Sequence, residues 1–155
     1  MASEKVKSFL DKHEINYELM EHDVAYTAQE IAAVTHVKGK ELAKAVIVRA
    51  GTQIYMAVLP ATRVVDFDKM KGLLDVNRVD LAREEEFSKV FHDCETGAMP
   101  PFGSLYDVPT IMDESLAEDE EIVFNAGTHH DVMKVSFQDY VSLENPKVGA
   151  FTKHI

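Results

Sequence analysis

The sequence contains a single cysteine, Cys94, and no long uninterrupted apolar run. One thiol cannot form an internal disulfide, which is typical of a protein kept in a reducing compartment. The neighbours Asp93 and Glu95 are acidic and should oppose formation of the nucleophilic thiolate. No segment approaches the roughly 20 consecutive apolar residues of a membrane-spanning helix. The first residues are charged from Glu4 onward, unlike a signal peptide. We therefore expect a cytoplasmic protein without membrane segments.

Basic residues are also scarce. The chain has 16 Lys and Arg against 27 Asp and Glu, which gives a formal net charge of −11. Proteins that bind long nucleic acids nonspecifically carry a basic face, because contacts with phosphates dominate their affinity. The composition therefore argues against a general nucleic-acid binder, but it permits a protein that holds only the end of a single strand.

The arrangement of apolar residues predicts one domain of mixed structure. No repeat, low-complexity linker or compositional break divides the 155 residues, so we expect a single domain over 1–155. The clearest signal is a hairpin with strands at 45–48 and 54–59 around a glycine-containing turn. The pattern further predicts helices over 3–15, 27–34, 66–74, 83–91 and 136–143, and strands over 15–22, 108–113, 121–127 and 132–136.

These elements also predict the fold class. Strands and helices do not alternate regularly, which disfavours a doubly wound parallel sheet. We expect an α+β fold with a mixed, largely antiparallel β-sheet or partial barrel surrounded by helices. Ser3, Asp66 and Ser136 precede helical patterns and are predicted to be N-caps.

Two adjacent histidines occur in the stretch NAGTHHD, after the strand predicted over 121–127. His129, His130 and Asp131 offer three donors for a metal, but adjacent residues of an extended segment point to opposite sides. The chain has no Cys-x-x-Cys motif, no His-Glu-x-x-His motif and no helical histidine pair. We therefore expect no metal and no cofactor. The pair belongs either to a cleft or to a surface turn.

Lys44 and the stretch GAMPP at 97–101 each have an ordinary and a functional interpretation. Lys44 opens an apolar run, where a buried strand rarely has a charge. Its ammonium either reaches water at the strand edge or points into a pocket, where it could hold a phosphate. In GAMPP two prolines stiffen the loop, and Gly97 presents a backbone N–H without a side chain beside it. Such an N–H can bind a carbonyl or an oxyanion, although most loops of this composition are simple turns.

Together, Lys44, GAMPPFG and NAGTHH resemble the YbaK/prolyl-tRNA synthetase-associated domain family. The shared markers are a lysine that begins the central hairpin strand, a Gly-x-x-x-Pro loop and a Gly-Thr-His turn. The resemblance extends from YTAQEIAAV to NPKVG. It implies a mixed β-barrel surrounded by helices, in agreement with the pattern above. The activity it implies is hydrolysis of the ester that joins a wrong amino acid to the 3′-terminal adenosine of a tRNA.

The resemblance also implies roles for individual residues. Lys44 would hold the terminal phosphate or ribose, Gly97 would offer its N–H to the aminoacyl carbonyl, and His129 would line the amino-acid pocket. Either the substrate's vicinal hydroxyl or His129 would activate water. The remaining substrate-binding residues would be Tyr26, Ala98, Met99, Pro100, Pro101, Phe102, Gly127 and Thr128.

The substrates of the family imply a small amino acid, such as alanine, serine or cysteine. The partner would be the CCA end of an aminoacyl-tRNA, with or without an aminoacyl-tRNA synthetase. The alternative is a module of the same fold that binds aminoacyl-tRNA or a protein without catalysis.

Overall fold

The computed structural model describes residues 2–21, 42–95, 97–118, 120–129 and 131–154. The α-helices in these residues are α1 (Ala2–Lys12), α2 (Phe67–Leu74), α3 (Glu84–Phe87) and α4 (Phe137–Glu144), and short 3₁₀ turns cover Gly103–Tyr106 and Glu114–Glu118. The strands are β1 (Tyr17–Glu21), β2 (Ala43–Ala50), β3 (Gln53–Pro60), β4 (Arg63–Val65), β5 (Asp80–Leu81), β6 (Thr110–Asp113), β7 (Glu121–Asn125), β8 (Asp131–Ser136), β9 (Lys147–Gly149) and β10 (Thr152–His154).

The described strands form three sheets. The antiparallel hairpin of β2 and β3 lies in a five-stranded sheet of order β5-β2-β3-β6-β9, in which β3, β6 and β9 are parallel. A three-stranded antiparallel sheet has the order β1-β8-β7, and β4 pairs with β10. A parallel bridge between Leu42 and Val123 connects the start of β2 to β7. The predicted α+β class, with mixed and largely antiparallel strands, is confirmed.

The β2–β3 hairpin is buried on both faces. Ile47 faces a large core that includes Phe102 and Phe124, whereas Val48 on the opposite face packs in a second core with Met70. A strand with two buried faces needs a continuous apolar run instead of alternation, which is the pattern that predicted this hairpin. Each large apolar side chain buried in this way stabilises the fold by about 1.5–3 kcal/mol.

Two of the three predicted helix caps are confirmed. The Asp66 side chain accepts hydrogen bonds from two backbone N–H groups at the start of α2, and Ser136 accepts one at the start of α4. Such caps satisfy donors that have no partner inside the helix. The prediction for Ser3 is wrong, because α1 already begins at Ala2 and Ser3 lies inside it.

Other differences have local causes. The segment predicted as a helix over 83–91 is α-helical only in α3 and continues in turns, with the N–H groups of Val90 and Phe91 both donating to the carbonyl of Phe87. Strands β4, β5, β9 and β10 were not predicted, because segments of two or three residues show no periodicity. The helix predicted over 27–34 lies outside the described residues. None of the helices in the described part of the chain has the length and apolarity that a membrane crossing requires.

Candidate active site

The Gly-x-x-x-Pro loop and the turn after β7 are joined by backbone hydrogen bonds. The N–H of Glu95 donates to the carbonyl of Gly127 at 2.8 Å, and the N–H of Gly127 donates to the carbonyl of Ala98 at 2.9 Å. Within the loop, the N–H of Ala98 donates to the carbonyl of Glu95 at 3.0 Å. Two segments far apart in sequence therefore form one unit, with Gly97 between the bonded residues.

His129 is held against this loop. Only 5% of the residue is exposed, and its backbone N–H donates to Oε1 of Glu95 at 2.9 Å. A Cβ added to Gly97 would lie 3.7 Å from Cε1 of His129, so no side chain separates the Gly97 backbone from the imidazole. The structure thus brings Gly97 and His129 together. Glu95, which connects them, was considered in the sequence only as an acidic neighbour of Cys94 and not as a site residue.

The turn that presents His129 is fixed by its own side chains. The Thr128 hydroxyl donates to Oδ2 of Asp131 at 2.7 Å and accepts from the backbone N–H of Asp131 at 3.1 Å. Gly127 has φ +98°, in the left-handed region that favours glycine. The predicted site residues Gly127 and Thr128 therefore shape the turn. His130 lies outside the described residues.

The rest of the loop is packed into the core. The residues predicted to bind substrate here are all buried: Ala98, Met99, Pro100, Pro101 and Phe102. The hydroxyl of Tyr140 on α4 donates to the carbonyl of Pro101 at 2.6 Å. These five predicted substrate-binding residues therefore pack the loop against the core and present almost no surface to solvent.

A buried carboxylate holds the end of the loop. Glu144, the last residue of α4, is 9% exposed. It accepts from the backbone N–H of Ser104 at 3.1 Å and from its hydroxyl at 2.5 Å. The hydroxyl of Thr110 donates to Glu144 at 2.6 Å and accepts from the N–H of Gly103 at 3.1 Å. Because a buried carboxylate needs such donors, this cluster fixes where the loop ends.

Lys44 lies on β2, opposite Leu59 of β3. The residue is half-buried, and burial lowers the pKa of its ammonium below the ordinary value. A parallel bridge joins Leu42, two residues before Lys44, to Val123 of β7. The start of β2 therefore lies beside the strand that leads into the His129 turn. Tyr26, also predicted to contact substrate, lies outside the described residues.

Asn125 was missed in the sequence. Its Oδ1 is buried and has no hydrogen-bond partner among the described residues. Buried polar atoms are almost always hydrogen-bonded, so an unpaired acceptor at the end of β7 marks a place where a donor is to be expected. The signal in the sequence that could have identified Asn125 was a polar residue at the end of an apolar strand.

The sulfur of Cys94 is not set up as a nucleophile. Burial, more than any other cause, raises the pKa of the thiol to about 11. The hydroxyl of Tyr106 lies 3.2 Å from Sγ and donates to Asp93 at 3.0 Å. At neutral pH the thiol is protonated. Among the described residues no group of three or more His, Cys, Asp and Glu side chains could hold a metal ion.

Comparison with known proteins identifies the family. The family model described as the aminoacyl-tRNA editing domain matches residues 22–143. The prolyl-tRNA editing protein ProX of Acetoanaerobium sticklandii is 25% identical over 144 residues, which cover 89% of this chain and 87% of that protein.

Solved structures agree in fold. A crystal structure described as a candidate trans-editing enzyme for prolyl tRNA synthetase superposes with a TM-score of 0.84 at 17% identity, over 98% of this chain and 97% of that one. The crystal structure of the hypothetical protein APE2540 gives a TM-score of 0.87 at 21% identity, over 96% and 99% of the two chains. The resemblance found in the sequence is confirmed. The chain belongs to the aminoacyl-tRNA editing domain family and is a hydrolase of the ester bond of aminoacyl-tRNA.

Proposed function

We propose that this enzyme removes a small amino acid, such as alanine, serine or cysteine, from mischarged tRNA, and that the tRNA is the one for proline. The choice of tRNA rests on the relative ProX, a prolyl-tRNA editing protein that aligns with most of this chain. Water adds to the aminoacyl carbonyl carbon, the ester C–O bond breaks, and the ribose oxygen takes up a proton. The products are the free amino acid and an uncharged tRNA.

The single observation that carries the proposal is the exposed backbone N–H of Gly97 close to the His129 imidazole. Gly97 is exposed, has φ +85°, and its N–H has no acceptor among the described residues. A substrate carbonyl placed beside the exposed face of Gly97 can accept this N–H. The same bond strengthens as negative charge develops on that oxygen, which is how an oxyanion donor lowers a barrier.

The surroundings support a small amino acid. The Gly97 loop is packed into the core, and the imidazole of His129 is buried beside it. Well-packed walls yield little to a larger group, because interiors are as dense as molecular crystals. A small side chain fits beside such walls, whereas a larger one would have to displace buried residues at a cost of about 1–3 kcal/mol.

Lys44 is suited to hold the nucleotide end of the substrate. Its ammonium is partly removed from water, which strengthens its attraction to a phosphate compared with a fully solvated lysine. The bridge between Leu42 and Val123 brings the start of β2 beside the strand that leads into the His129 turn, which supports a phosphate position near that turn. The ester would then lie between a point of nucleotide binding and the Gly97 N–H.

Two routes could activate the water. An aminoacyl ester is already reactive, so a well-placed water and a polarised carbonyl suffice without a protein nucleophile. The base is either the vicinal hydroxyl of the terminal ribose or His129. A substrate that ends in 2′-deoxyadenosine separates the routes, because it removes the hydroxyl and leaves the imidazole in place.

The test is a panel of tRNAs charged with the wrong amino acid, with and without prolyl-tRNA synthetase. We expect release of alanine, serine or cysteine from proline tRNA. We expect Lys44→Ala to raise KM about 10-fold, since a hydrogen bond to a charged group is lost. We expect His129→Ala to change which amino acid is removed. The controls are Lys153→Ala and His13→Ala, which alter an exposed residue on β10 and an exposed residue just after α1.

Two outcomes would reject the proposal. If no amino acid were released from any of the charged tRNAs, mischarged tRNA would be rejected as the substrate. Full activity in both Lys44→Ala and His129→Ala would reject the site while keeping the reaction. A rate that rises only in the presence of the synthetase would add that enzyme as a partner.

A further inference from the structure

Glu95 places an exposed carboxylate at the start of the Gly97 loop. Its backbone N–H donates to the carbonyl of Gly127 at 2.8 Å, and Oε1 of its side chain accepts the backbone N–H of His129 at 2.9 Å. The residue is nevertheless exposed to solvent, unlike the buried Glu144 at the other end of the loop. A hydrogen bond to one carboxylate oxygen leaves the other oxygen with its full capacity as an acceptor.

This carboxylate lies close to the groups that are proposed to hold the ester. His129 contacts Glu95 through its backbone N–H, and Cε1 of its ring lies 3.7 Å from a Cβ built on Gly97. Glu95 and Gly97 also belong to one tight turn, because the N–H of Ala98 donates to the carbonyl of Glu95 at 3.0 Å. The first and last Cα atoms of such a turn are less than about 7 Å apart. The carboxylate, the Gly97 N–H and the imidazole therefore lie in one small region.

The charge of Glu95 is not balanced within the described part of the chain. No lysine or arginine described by the structure forms an ion pair with it. The other two carboxylates of the loop and the turn accept from hydroxyl groups instead, Asp93 from Tyr106 at 3.0 Å and Asp131 from Thr128 at 2.7 Å. Glu95 thus differs from both in being exposed, with a place for a cation beside it.

An uncompensated negative charge at this place would oppose the proposed reaction. As water adds to the carbonyl carbon, negative charge develops on the oxygen that the Gly97 N–H stabilises. A carboxylate in the same tight turn repels that oxygen, and the repulsion grows where water is partly excluded. The aminoacyl group brings a cation of its own, since its α-ammonium nitrogen is two bonds from the carbonyl carbon.

We propose that Glu95 binds the α-ammonium group of the aminoacyl ester and thereby restricts the enzyme to esters that carry this cation. One carboxylate oxygen holds the His129 turn, and the other receives the ammonium. With the ester carbonyl at the exposed face of Gly97, the ammonium determines the orientation in which the amino acid enters. This inference rests on the proposed function, because it requires the carbonyl to accept the Gly97 N–H.

Two substitutions at Glu95 separate its charge from its contact with His129. Glutamine keeps an oxygen that can accept the His129 N–H but has no charge, whereas alanine removes both. Glu85→Gln is the matched control, because Glu85 is an exposed carboxylate on α3. Circular dichroism establishes that the variants are folded.

Two substrates of nearly equal size test the proposed ion pair. The first is proline tRNA charged with alanine. The second is the same tRNA after treatment with nitrous acid, which converts the alanyl group to a lactyl group and so puts a hydroxyl in place of the ammonium. The assays are run at pH 6.5, below the ordinary pKa of an α-amino group at about 7.7–8.0.

We expect Glu95→Gln to change the two reactions in opposite directions. For the alanyl ester, kcat/KM should fall about 10–100-fold, because a hydrogen bond between charged groups is lost. For the lactyl ester, kcat/KM should rise, because the carboxylate that repels the developing oxyanion is gone. We expect Glu95→Ala to be slower with both esters, since the His129 turn also loses its acceptor, and Glu85→Gln to match the wild type.

An equal fall for the two esters in Glu95→Gln would overturn the inference, because Glu95 would then only hold the turn. The same change of preference in Glu85→Gln would also overturn it, since the charge of any surface carboxylate would then have this effect. If the wild type released neither alanine nor lactate, the proposed function would fall and the inference with it.

Discussion

The β2–β3 hairpin and the Gly97 loop each contribute residues to the proposed site, but they are held in different ways. The hairpin has eight paired positions from Ala43 to Pro60 and a two-residue turn at Gly51 and Thr52. The described residues of the loop form no ladder of their own. It is fixed by Glu95 and the His129 turn at its start and by Tyr140 and Glu144 of α4 at its end.

This difference determines whether a substitution mainly affects stability or catalysis. In a ladder, one lost contact is shared among many neighbours, so a change in the hairpin should reduce stability with little movement of Lys44. In the loop, a few buried polar contacts decide the backbone path. Buried polar networks cost much when they are only partly satisfied. A change in the loop should therefore affect catalysis more than stability.

Replacing one glycine in the loop and one in the hairpin should give the largest contrast between the two regions. Gly97 has φ +85° and Gly51 has φ +66°, so alanine at either position should cost about 1–2 kcal/mol of stability. We expect Gly97→Ala also to reduce deacylation about 100-fold, because relief of the strain moves the N–H away from the carbonyl. Urea unfolding and deacylation rates measure the two effects.

Gly51→Ala is the matched control in the hairpin, where an added Cβ meets no atom within 4 Å. We expect it to lose similar stability and to keep its activity at temperatures below unfolding. If both variants lost activity equally, the two regions would not differ in the way described.

Glu144→Gln gives the next largest effect. Three donors converge on the carboxylate from Ser104 and Thr110, and an amide presents only one acceptor oxygen and a competing NH₂ group. We expect the free energy of unfolding to fall by about 2–4 kcal/mol and deacylation to fall by several-fold, with the larger change in kcat.

The control for this change is Glu121→Gln, which breaks an exposed ion pair with Lys134. Exposed pairs contribute about 0–1 kcal/mol, so little change is expected. Activity that stays at the wild-type level in folded Glu144→Gln would mean that α4 does not position the loop.

The difference between the hairpin and the Gly97 loop also explains which features could be predicted from the sequence. The hairpin, the caps at Asp66 and Ser136, and the segments that contain Gly97 and His129 follow from local patterns. The proximity of Gly97 to His129 was expected only through the family resemblance, because the contact joins residues 32 apart in the chain.

The residues that hold the loop could not be found in the same way. Glu95 and Glu144 have the appearance of ordinary surface carboxylates in a sequence with 27 acidic residues. Their function depends on donors 34 and 40 residues away. A periodic pattern records which face of an element is apolar, but it contains nothing about which distant N–H a buried carboxylate will meet.

Cys94 gives the smallest expected effect and shows that not every reactive group near the loop takes part in catalysis. Its thiol contacts Tyr106 and has a pKa raised to about 11, against an ordinary value of 9.0. We expect Cys94→Ser to keep full deacylase activity, and alkylation of the native thiol by iodoacetamide to stay slow until the pH approaches 11. Because the folded state holds this proton more tightly, the thiol stabilises the fold below pH 9, and that contribution is lost as the pH rises from about 9 to about 11. The free energy of unfolding should therefore fall more steeply over this range in the wild type than in Cys94→Ser. Rapid alkylation at pH 7, or loss of activity in the serine variant, would place the thiol in the active site after all.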